Sequence, residues 1–507
     1  MKKKERLFKN LFMGWIAILA IGFVGKAFQN DTFYTIKIGE LISKHGIDMM
    51  DHFSFHAGLK YTYPHWLYDL FIYQIYHFFS LTGIYISSIV LFIILLWILF
   101  KVNKKLSHSL GVAAFATFIG ALALSGFVTA RAQLVSFILF ALEIYLIEMF
   151  LQEKRKKYAL GLLGISLLLC NIHVAVWPFY FIVYLPYLAE GFILWLGEKW
   201  QFLGKILKKK FDSERNTWVK YLVVIMLLSL VTGLITPIGD TPYTYLIKTM
   251  LGNSQNYIQE HQMMSWIDSP FTIIIVFETL FLAVFTKVKL RDVFMVLGLT
   301  LMAIFSIRHV SLLALIGTVC FARVFSSFVK KASIFNDDRI INFFTKKYVI
   351  IGAFLIAFTF TGIFFSKQLK KDYLDEEFYP IEAVKYIKEN VNIEEMRLFN
   401  EYNFGSYLLF NDIPVFIDSR ADLYTKQFSG FDYDIFDDYE FIVGSYQEKF
   451  DFYGITYVLI YNNAFCEILK DDKNYKVLYT DDYFTFFEKV GSPDYVVSYS
   501  NNVLEYK

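Results

Sequence analysis

The sequence MKKKERLFKNLFMGWIAILAIGFVGKAFQND, residues 1–31, decides the architecture of this chain. A basic start precedes an apolar run from about Leu11 to Phe28, and Asp31 comes soon after that run. An apolar segment of this length can cross the hydrocarbon core of a bilayer as a helix. Since no small-residue cleavage site is evident, we expect an uncleaved span, with the basic start in the cytoplasm and Asp31 at the outer face.

The remaining sequence contains further apolar stretches of similar length. Of the 507 residues, 56% are hydrophobic and 19% are charged, and the mean hydropathy of +0.44 is far above that of an ordinary soluble protein. The pattern predicts an α-helical polytopic membrane protein with about eleven transmembrane helices. After the first, they are expected near residues 82–100, 108–127, 132–150, 158–173, 177–196, 219–236, 270–287, 292–307, 310–328 and 347–366.

Lys and Arg concentrate in every second loop. Basic loops stay in the cytoplasm, so this alternation supports a cytoplasmic N-terminus and places the long loops 29–81 and 236–270 outside. The apolar stretch 67–80 is too short to span and is expected to form an interfacial or re-entrant helix. An odd number of spans leaves the segment after residue 366 outside as well. The basic loops contain residues 101–105, 154–157, 205–210, 287–291 and 330–347.

Residues 367–507 differ in composition from the first 366 residues. They contain 27 Asp and Glu against 14 Lys and Arg, although the whole chain has a formal net charge of only +2. This acidic segment predicts a soluble extracytoplasmic domain after a membrane domain, residues 1–366. Helical periodicity over residues 381–390, followed by short apolar runs, indicates an α/β fold. Strands are expected at residues 396–399, 414–417, 456–460, 475–479 and 483–487.

Three acids in the first outer loop are candidate catalytic residues: Asp31, Asp51 and Asp69. A carboxylate can act as a general base on a hydroxyl, and ionisable residues at membrane depth tend to be functional. Two carboxylates in different environments could divide acid, base or metal-binding roles. The structural alternative for Asp31 is the N-cap of a following helix. Ordinary turn or surface positions are equally open for Asp51 and Asp69.

Basic residues occur at the outer ends of several spans. Arg131 and the pair Arg308–His309 each lie where an outward span meets the next inward one. A guanidinium there suits bidentate binding of a donor phosphate, and the alternative is contact with lipid headgroups. Asn171 and His173 end the fifth span at the same face. They could bind substrate or simply bridge helices.

Further substrate contacts are predicted outside the spans. Glu260 lies in the second outer loop, and Asp418, Arg420 and Asp422 lie in the sequence FIDSRADLY, residues 416–424. The latter three follow a predicted buried strand, and strand ends are common ligand positions in α/β folds. An internal Asp–Arg pair that holds the loop is the alternative.

The sequence contains none of several well-known catalytic and cofactor-binding motifs. It contains no GxxxxGK phosphate loop, dinucleotide fingerprint, HExxH or GxSxG, so no nucleotide or redox cofactor is expected. Participation of a divalent cation stays open. Cys170, Cys320 and Cys466 have no CxxC spacing, which argues against a disulfide framework or a thiolate zinc site. The basic residues are scattered over loops, so no nucleic-acid partner is expected.

A set of short motifs resembles the GT-C superfamily of integral-membrane glycosyltransferases. The likeness is to bacterial proteins related to protein mannosyltransferases and to the lipid A aminoarabinose transferase. It extends over nearly the whole chain: an inward N-terminus, an acid that opens the first outer loop, many further spans and an outer C-terminal domain. The motifs are residues 31–54, 65–67 (HWL), 131–133 (RAQ), 171–173 (NIH), 308–309 (RH) and 416–424.

The resemblance implies transfer of a sugar from a polyprenyl-phosphate carrier to a glycan, lipid or protein acceptor outside the plasma membrane. It implies that Asp31, at the position of the family's first-loop acid, deprotonates the acceptor hydroxyl. It also implies that basic residues, here Arg131 and Arg308, stabilise the departing lipid phosphate. Many members have two adjacent acids in this loop, whereas Asn30 precedes Asp31 here. The second acid is therefore unassigned.

Two other classes of function stay open. A transporter or flippase of a lipid-linked sugar usually binds its substrate near the bilayer midplane, whereas the polar residues of this chain gather at one face. A non-catalytic scaffold would bind a glycan or a partner through its tail, residues 367–507, and would transfer no sugar.

Overall fold

The computed structural model describes residues 2–252, Met263, 269–333, 336–490, 497–500 and 503–506. These residues are mostly helical, and their longer strands lie in the C-terminal part of the chain. The chain divides into two compact units. The membrane unit comprises the described residues of Met1–Lys26, Leu81–Tyr243 and Ile258–Lys370. The α/β unit comprises those of Ala27–Ser80, Thr244–Tyr257 and Lys371–Lys507.

The helices and strands are numbered in chain order. The helices up to residue 251 are α1 (Lys2–Phe23), α2 (Asn30–His45), α3 (Trp66–Ser107), α4 (Leu110–Leu124), α5 (Ala132–Glu153), α6 (Lys156–Ile172), α7 (Trp177–Lys199), α8 (Gln201–Lys210), α9 (Val219–Thr232) and α10 (Thr241–Leu251). Those after residue 269 are α11 (Pro270–Phe285), α12 (Leu290–Phe305), α13 (Val310–Ala332), α14 (Asp337–Phe344), α15 (Lys347–Leu369), α16 (Ile381–Asn390), α17 (Tyr402–Phe410), α18 (Lys426–Ser429), α19 (Ile435–Glu440), α20 (Ile442–Phe452) and α21 (Ala464–Asp471). The strands are β1 (Leu398–Asn400), β2 (Tyr457–Tyr461), β3 (Tyr475–Thr480), β4 (Phe484–Lys489), β5 (Val497–Ser500) and β6 (Val503–Tyr506).

Each of the eleven predicted spans falls on a helix. Within the described residues, seven helical segments are long and apolar enough to cross a membrane. The other four, α6, α9, α11 and α12, contain 17, 14, 16 and 16 residues. The protein is therefore a multi-pass membrane protein. The seven segments are Lys2–Phe23, Trp66–Ser107, Leu110–Phe127, Ala132–Glu153, Val174–Lys199, Ile307–Ala332 and Lys347–Gln368.

The core of the membrane unit surrounds α13, which packs against α4, α11 and α12. Small residues allow these backbones to approach closely. A Cβ atom on Gly120 of α4 would lie 2.8 Å from Cγ2 of Thr318, and one on Gly317 would lie 3.2 Å from Cγ2 of Ile275. By contrast, α15 is mostly exposed, with Leu355 60% exposed. Such an apolar outer surface suits contact with lipid.

The C-terminal segment folds around a four-stranded sheet of order β1-β2-β4-β3. β1 runs parallel to β2, and β4 runs antiparallel to both β2 and β3. The predicted hairpin is present, because the Asp481 carboxylate accepts hydrogen bonds from the backbone N–H groups of Tyr483 and Phe484 at the turn. The fold class is thus confirmed: a helical membrane protein with a small C-terminal α/β fold.

One predicted strand is not part of this sheet. Residues 414–417 form no strand and have a single bridge, between Val415 and Ser54 of the first loop. The backbone N–H of Phe416 donates to Oδ1 of Asn400 at 2.9 Å. Side-chain and loop partners therefore satisfy this buried backbone where the sequence suggested strand neighbours.

The first outer loop packs with the tail and belongs to the α/β unit. Helix α2 contacts α17, and the buried Phe33 ring lies 5.2, 5.6 and 5.4 Å from the rings of Tyr379, Tyr407 and Phe410. The unit ends within α3 at Ser80, where the backbone leaves helical geometry with φ at +53°. The sequence placed residues 29–81 in the membrane domain. The structure differs because the apolar face of α2 is buried against the tail.

Candidate functional site

Asp31 lies at the beginning of α2 in the α/β unit. Gln29 is the N-cap of this helix, so Asp31 occupies the first turn, where a carboxylate interacts favourably with the helix dipole. Asn30 Nδ2 donates to the Tyr402 carbonyl at 2.9 Å and ties the helix end to α17. Burial, together with the charge of Asp31, raises the pKa of the Tyr379 phenol. A half-buried carboxylate is thus held at a helix end beside a phenol.

Asp51 is held by an ion pair inside the α/β unit. Its Oδ1 accepts a hydrogen bond from Nη1 of Arg420 at 2.6 Å, and its side chain is fully buried. Its Oδ2 accepts from the backbone N–H and the hydroxyl of Ser54 at 2.9 and 2.6 Å. Burial raises the pKa of Asp51, but Arg420 and Ser54 outweigh burial and hold it below its ordinary value. The carboxylate is therefore charged and has four internal donors, of which the backbone N–H of Phe53 is the most distant, at 3.4 Å.

Arg420 also binds Asp418 through two parallel hydrogen bonds. Nε donates to Oδ1 at 2.9 Å, and Nη2 donates to Oδ2 at 2.7 Å. The Tyr424 hydroxyl donates to the same Oδ2 at 2.5 Å, and the rings of Phe53 and Tyr61 flank the guanidinium. Asp418 and Arg420 are both buried. The internal Asp–Arg pair that the sequence left open as an alternative is present.

His56 lies next to the ion pairs of Arg420, and the sequence pattern assigned it no role. Its Nε2 lies 2.8 Å from the Phe416 carbonyl oxygen, and the residue is buried. Burial lowers the pKa of His56 to about 4. The ring is therefore neutral near pH 7, with Nε2–H as the donor to the carbonyl.

The other predicted acids have separate positions. Asp69, in the first turn of α3, is buried, and Thr35 of α2 lies close to its carboxylate. Its backbone faces Gly39 of α2, where a Cβ would lie 2.1 Å from the Asp69 carbonyl oxygen. Asp422 accepts a hydrogen bond from the Tyr245 hydroxyl of α10. Glu260 lies outside the described residues.

In the membrane unit, the predicted basic residues lie at two adjacent helix starts. Arg131 is the N-cap of α5, and His309, preceded by Arg308, is the N-cap of α13. Gln133 Nε2 donates to Oγ of Ser311 at 2.9 Å, so the two starts lie side by side. Helix N-termini present backbone N–H groups and positive dipole ends, which favour anions. Two arginines at such a place suit a phosphate.

His173 lies at the same end of the membrane unit. Its Nδ1 is 2.9 Å from the hydroxyl of Ser136, which is one helical turn after Gln133 on α5. Asn171 has a bridging role, because its Nδ2 donates to the Ile235 carbonyl at 3.1 Å. The helix-end cluster is the name used below for Arg131, Gln133, His173, Arg308, His309 and Ser311.

Sequence reasoning found the cations of the helix-end cluster but not the residues that join them. Gln133 belongs to the RAQ motif, but the sequence pattern assigns no role to Gln133 or to Ser311. Each is the second residue of a helix whose N-cap is a basic residue, so the two occupy matching positions. That repeated polar position was the available signal. In the described part of the chain, no three His, Cys, Asp or Glu side chains are grouped as metal ligands.

The fold resembles two solved membrane-protein structures. ArnT from Cupriavidus metallidurans, solved bound to undecaprenyl phosphate, aligns with a TM-score of 0.56 and 10% identity over 96% of this chain and 98% of that one. The Archaeoglobus fulgidus oligosaccharyltransferase, solved with a tethered acceptor peptide, aligns with a TM-score of 0.56 and 10% identity over 89% of this chain and 69% of that one. No protein-family model and no curated protein matches the sequence.

Proposed function

We propose that this protein, which has the fold of the GT-C superfamily of membrane glycosyltransferases, transfers a sugar from a polyprenyl-phosphate carrier to a cell-envelope acceptor. The observation that carries the proposal is the helix-end cluster, in which Arg131 and Arg308 lie at two adjoining helix starts. Of the similar structures, ArnT was solved with undecaprenyl phosphate. A lipid phosphate is therefore the ligand we assign to the cluster.

The proposed reaction is a displacement at the anomeric carbon of the sugar. Asp31 takes the proton of the acceptor hydroxyl, and the acceptor oxygen forms the new bond to that carbon. The bond between the anomeric carbon and the phosphate oxygen breaks, and its electron pair leaves with the polyprenyl phosphate. Arg131 and Arg308 stabilise the negative charge that develops on this oxygen, where fixed cations contribute most. His173 and His309 are proposed contacts to the donor.

We place the reaction at the outer face of the plasma membrane. The basic loops define the cytoplasmic side by the positive-inside rule. The starts of α5 and α13 are then at the outer side, because the basic loop 154–157 follows α5 and the basic residues 330–331 end α13. The N-terminus is cytoplasmic in this orientation, and the α/β unit is extracytoplasmic.

The test uses purified protein in liposomes with a panel of polyprenyl-phosphate sugars and candidate acceptors. We expect the protein to release free polyprenyl phosphate, and Asp31→Asn to abolish this release. Asp412→Asn is the matched control, since Asp412 is an exposed acid of the same unit, paired with Lys37. Equal release by the Asp31→Asn variant would contradict the assigned base. Movement of the carrier across sealed vesicles without a new glycosidic bond would favour a flippase.

A further inference from the structure

The far end of the membrane unit contains a cavity of about 300 Å³. It lies at the opposite ends of α5 and α13 from the helix-end cluster: Glu148 lines the cavity, and it follows Gln133 by fifteen residues, about 22 Å along a helix. Five Lys and Arg side chains line the cavity against three acids. The basic residues are Lys287, Lys289, Arg291, Arg323 and Lys330. The proposed transfer reaction does not use this cavity.

The inner wall of the cavity is a buried network of ion pairs. Glu148 accepts from Nη2 of Arg291 at 2.9 Å and from Nη2 of Arg323 at 2.7 Å. Arg291 Nη1 donates to Glu190 at 2.6 Å, and Nη1 of Arg323 lies 3.3 Å from Oδ1 of Asp292. These pairs hold both arginines in fixed positions. The wall is therefore preorganised.

One of these arginines has unused donors. Nε and Nη1 of Arg323 are buried and make no hydrogen bond within the described residues, although Nη1 is close enough to Asp292 for an ion pair. A buried donor without an acceptor is destabilising. Arg323 also lines the cavity. The guanidinium beside the cavity is therefore only partly hydrogen-bonded by the protein.

The outer rim of the cavity carries cations that acids only partly neutralise. Nζ of Lys330 has a long contact of 3.5 Å with the Ser107 carbonyl, and Nζ of Lys289 lies 3.7 Å from Asp212. The pKa of the nearby His108 is lowered, first by burial and then by the positive charge of Lys330. The rim therefore has a positive potential.

We propose that this cavity binds a phosphate group, either the headgroup of an anionic phospholipid or a soluble phosphate. Phosphate oxygens pair strongly with guanidinium and ammonium groups, and both arginines and the rim lysines line the cavity. Basic pockets between helices on the cytoplasmic side of membrane proteins bind anionic headgroups. The proposal does not depend on the glycosyl-transfer reaction, because it concerns the other end of the membrane unit.

Binding is tested on delipidated full-length protein in detergent, by thermal unfolding and native mass spectrometry. The probes are phosphatidylglycerol, phosphatidylcholine and inorganic phosphate. We expect phosphatidylglycerol or inorganic phosphate to raise the Tm and to remain bound, and phosphatidylcholine to do neither. Stabilisation by phosphatidylglycerol alone identifies a headgroup site, and stabilisation by inorganic phosphate identifies a soluble ligand. If neither probe binds, the proposal is wrong.

Two variants with opposite expected effects separate this site from general surface charge. Lys289→Gln with Lys330→Gln should weaken binding roughly tenfold or more, which corresponds to about 1.4 kcal/mol. Asp292→Asn should strengthen it, because it removes a negative charge beside Arg323.

The matched control is Lys156→Gln with Lys157→Gln, which removes two charges from another basic loop. It should leave binding unchanged. Equal losses in the two double variants would show unspecific attraction and overturn the proposal, as would weaker binding by a folded Asp292→Asn variant. Folding of each variant is checked by its Tm without probe.

Discussion

The Arg420 guanidinium and the Asp51 carboxylate form a buried ion pair, with 2.6 Å between Nη1 and Oδ1. The two residues are 369 positions apart in the sequence. The pair joins the first loop to the tail within the α/β unit. Deletion of the tail, residues 368–507, would remove the partner of Asp51 and would also uncover the apolar face of α2. Single substitutions are the cleaner test of what the tail does.

We expect Arg420→Met to destabilise the protein strongly. The substitution leaves Asp51 and Asp418 buried without their cation, and breaking a buried pair in this way costs about 3–5 kcal/mol. Thermal unfolding of the purified protein measures the loss as a lower Tm. The control is Lys470→Met, at an exposed pair with Glu467, which should leave the Tm nearly unchanged. Similar Tm values for both variants would contradict the structural role of Arg420.

We expect His56 to make the stability of the α/β unit depend on pH. Its pKa in the folded state is about 4, below the ordinary value of 6.5, so the unfolded chain binds its proton more readily. The contribution is complete above pH 6.5 and is lost as the pH falls towards 4, by about 3 kcal/mol in total. The Tm of wild type should therefore fall more steeply over this range than that of His56→Gln. Parallel pH profiles would contradict the prediction.

We expect Gly39→Ala to destabilise the contact between α2 and α3. The added Cβ would lie 2.1 Å from the Asp69 carbonyl oxygen and 2.6 Å from Cβ of Tyr73, so the helices must move apart. Overpacking of this kind costs about 1–3 kcal/mol. The control is Gly444→Ala in α20, where nothing lies within 4 Å of the added atom. Thermal unfolding should show a lower Tm for the first variant only.

If the helix-end cluster binds the donor phosphate, Arg131→Gln and Arg308→Gln should each lower kcat. The expected decrease in kcat is about 10²–10³-fold, the size found when an enzyme loses one hydrogen-bond donor to the oxyanion of its transition state. Arg155→Gln is the matched control, because Arg155 is an exposed arginine after the opposite end of α5. Rates are followed as release of polyprenyl phosphate. A loss confined to KM would instead indicate ground-state binding only.

Local sequence patterns predicted the helices well. Each predicted span falls on a helix, since both the length and the apolar character of a span are local properties. Strand prediction was correct for β2, β3 and β4. The residues of β2 and β4 are mostly buried, whereas those of β3 are mostly exposed or half-buried. It was wrong for residues 414–417, because an apolar run of four residues does not reveal whether its backbone partner is a strand or a loop.

The sequence alone determined that the chain is a multi-pass membrane protein with an acidic C-terminal α/β segment, and it named the arginines of the helix-end cluster. The tertiary structure decided which residues meet. It paired Asp51 with Arg420 and Gln133 with Ser311, 369 and 178 positions apart. Hydropathy and charge are read within a short window, whereas a hydrogen bond between distant residues depends on how whole helices and loops pack. For that reason the first loop looked like part of the membrane domain in the sequence and belongs to the α/β unit in the structure.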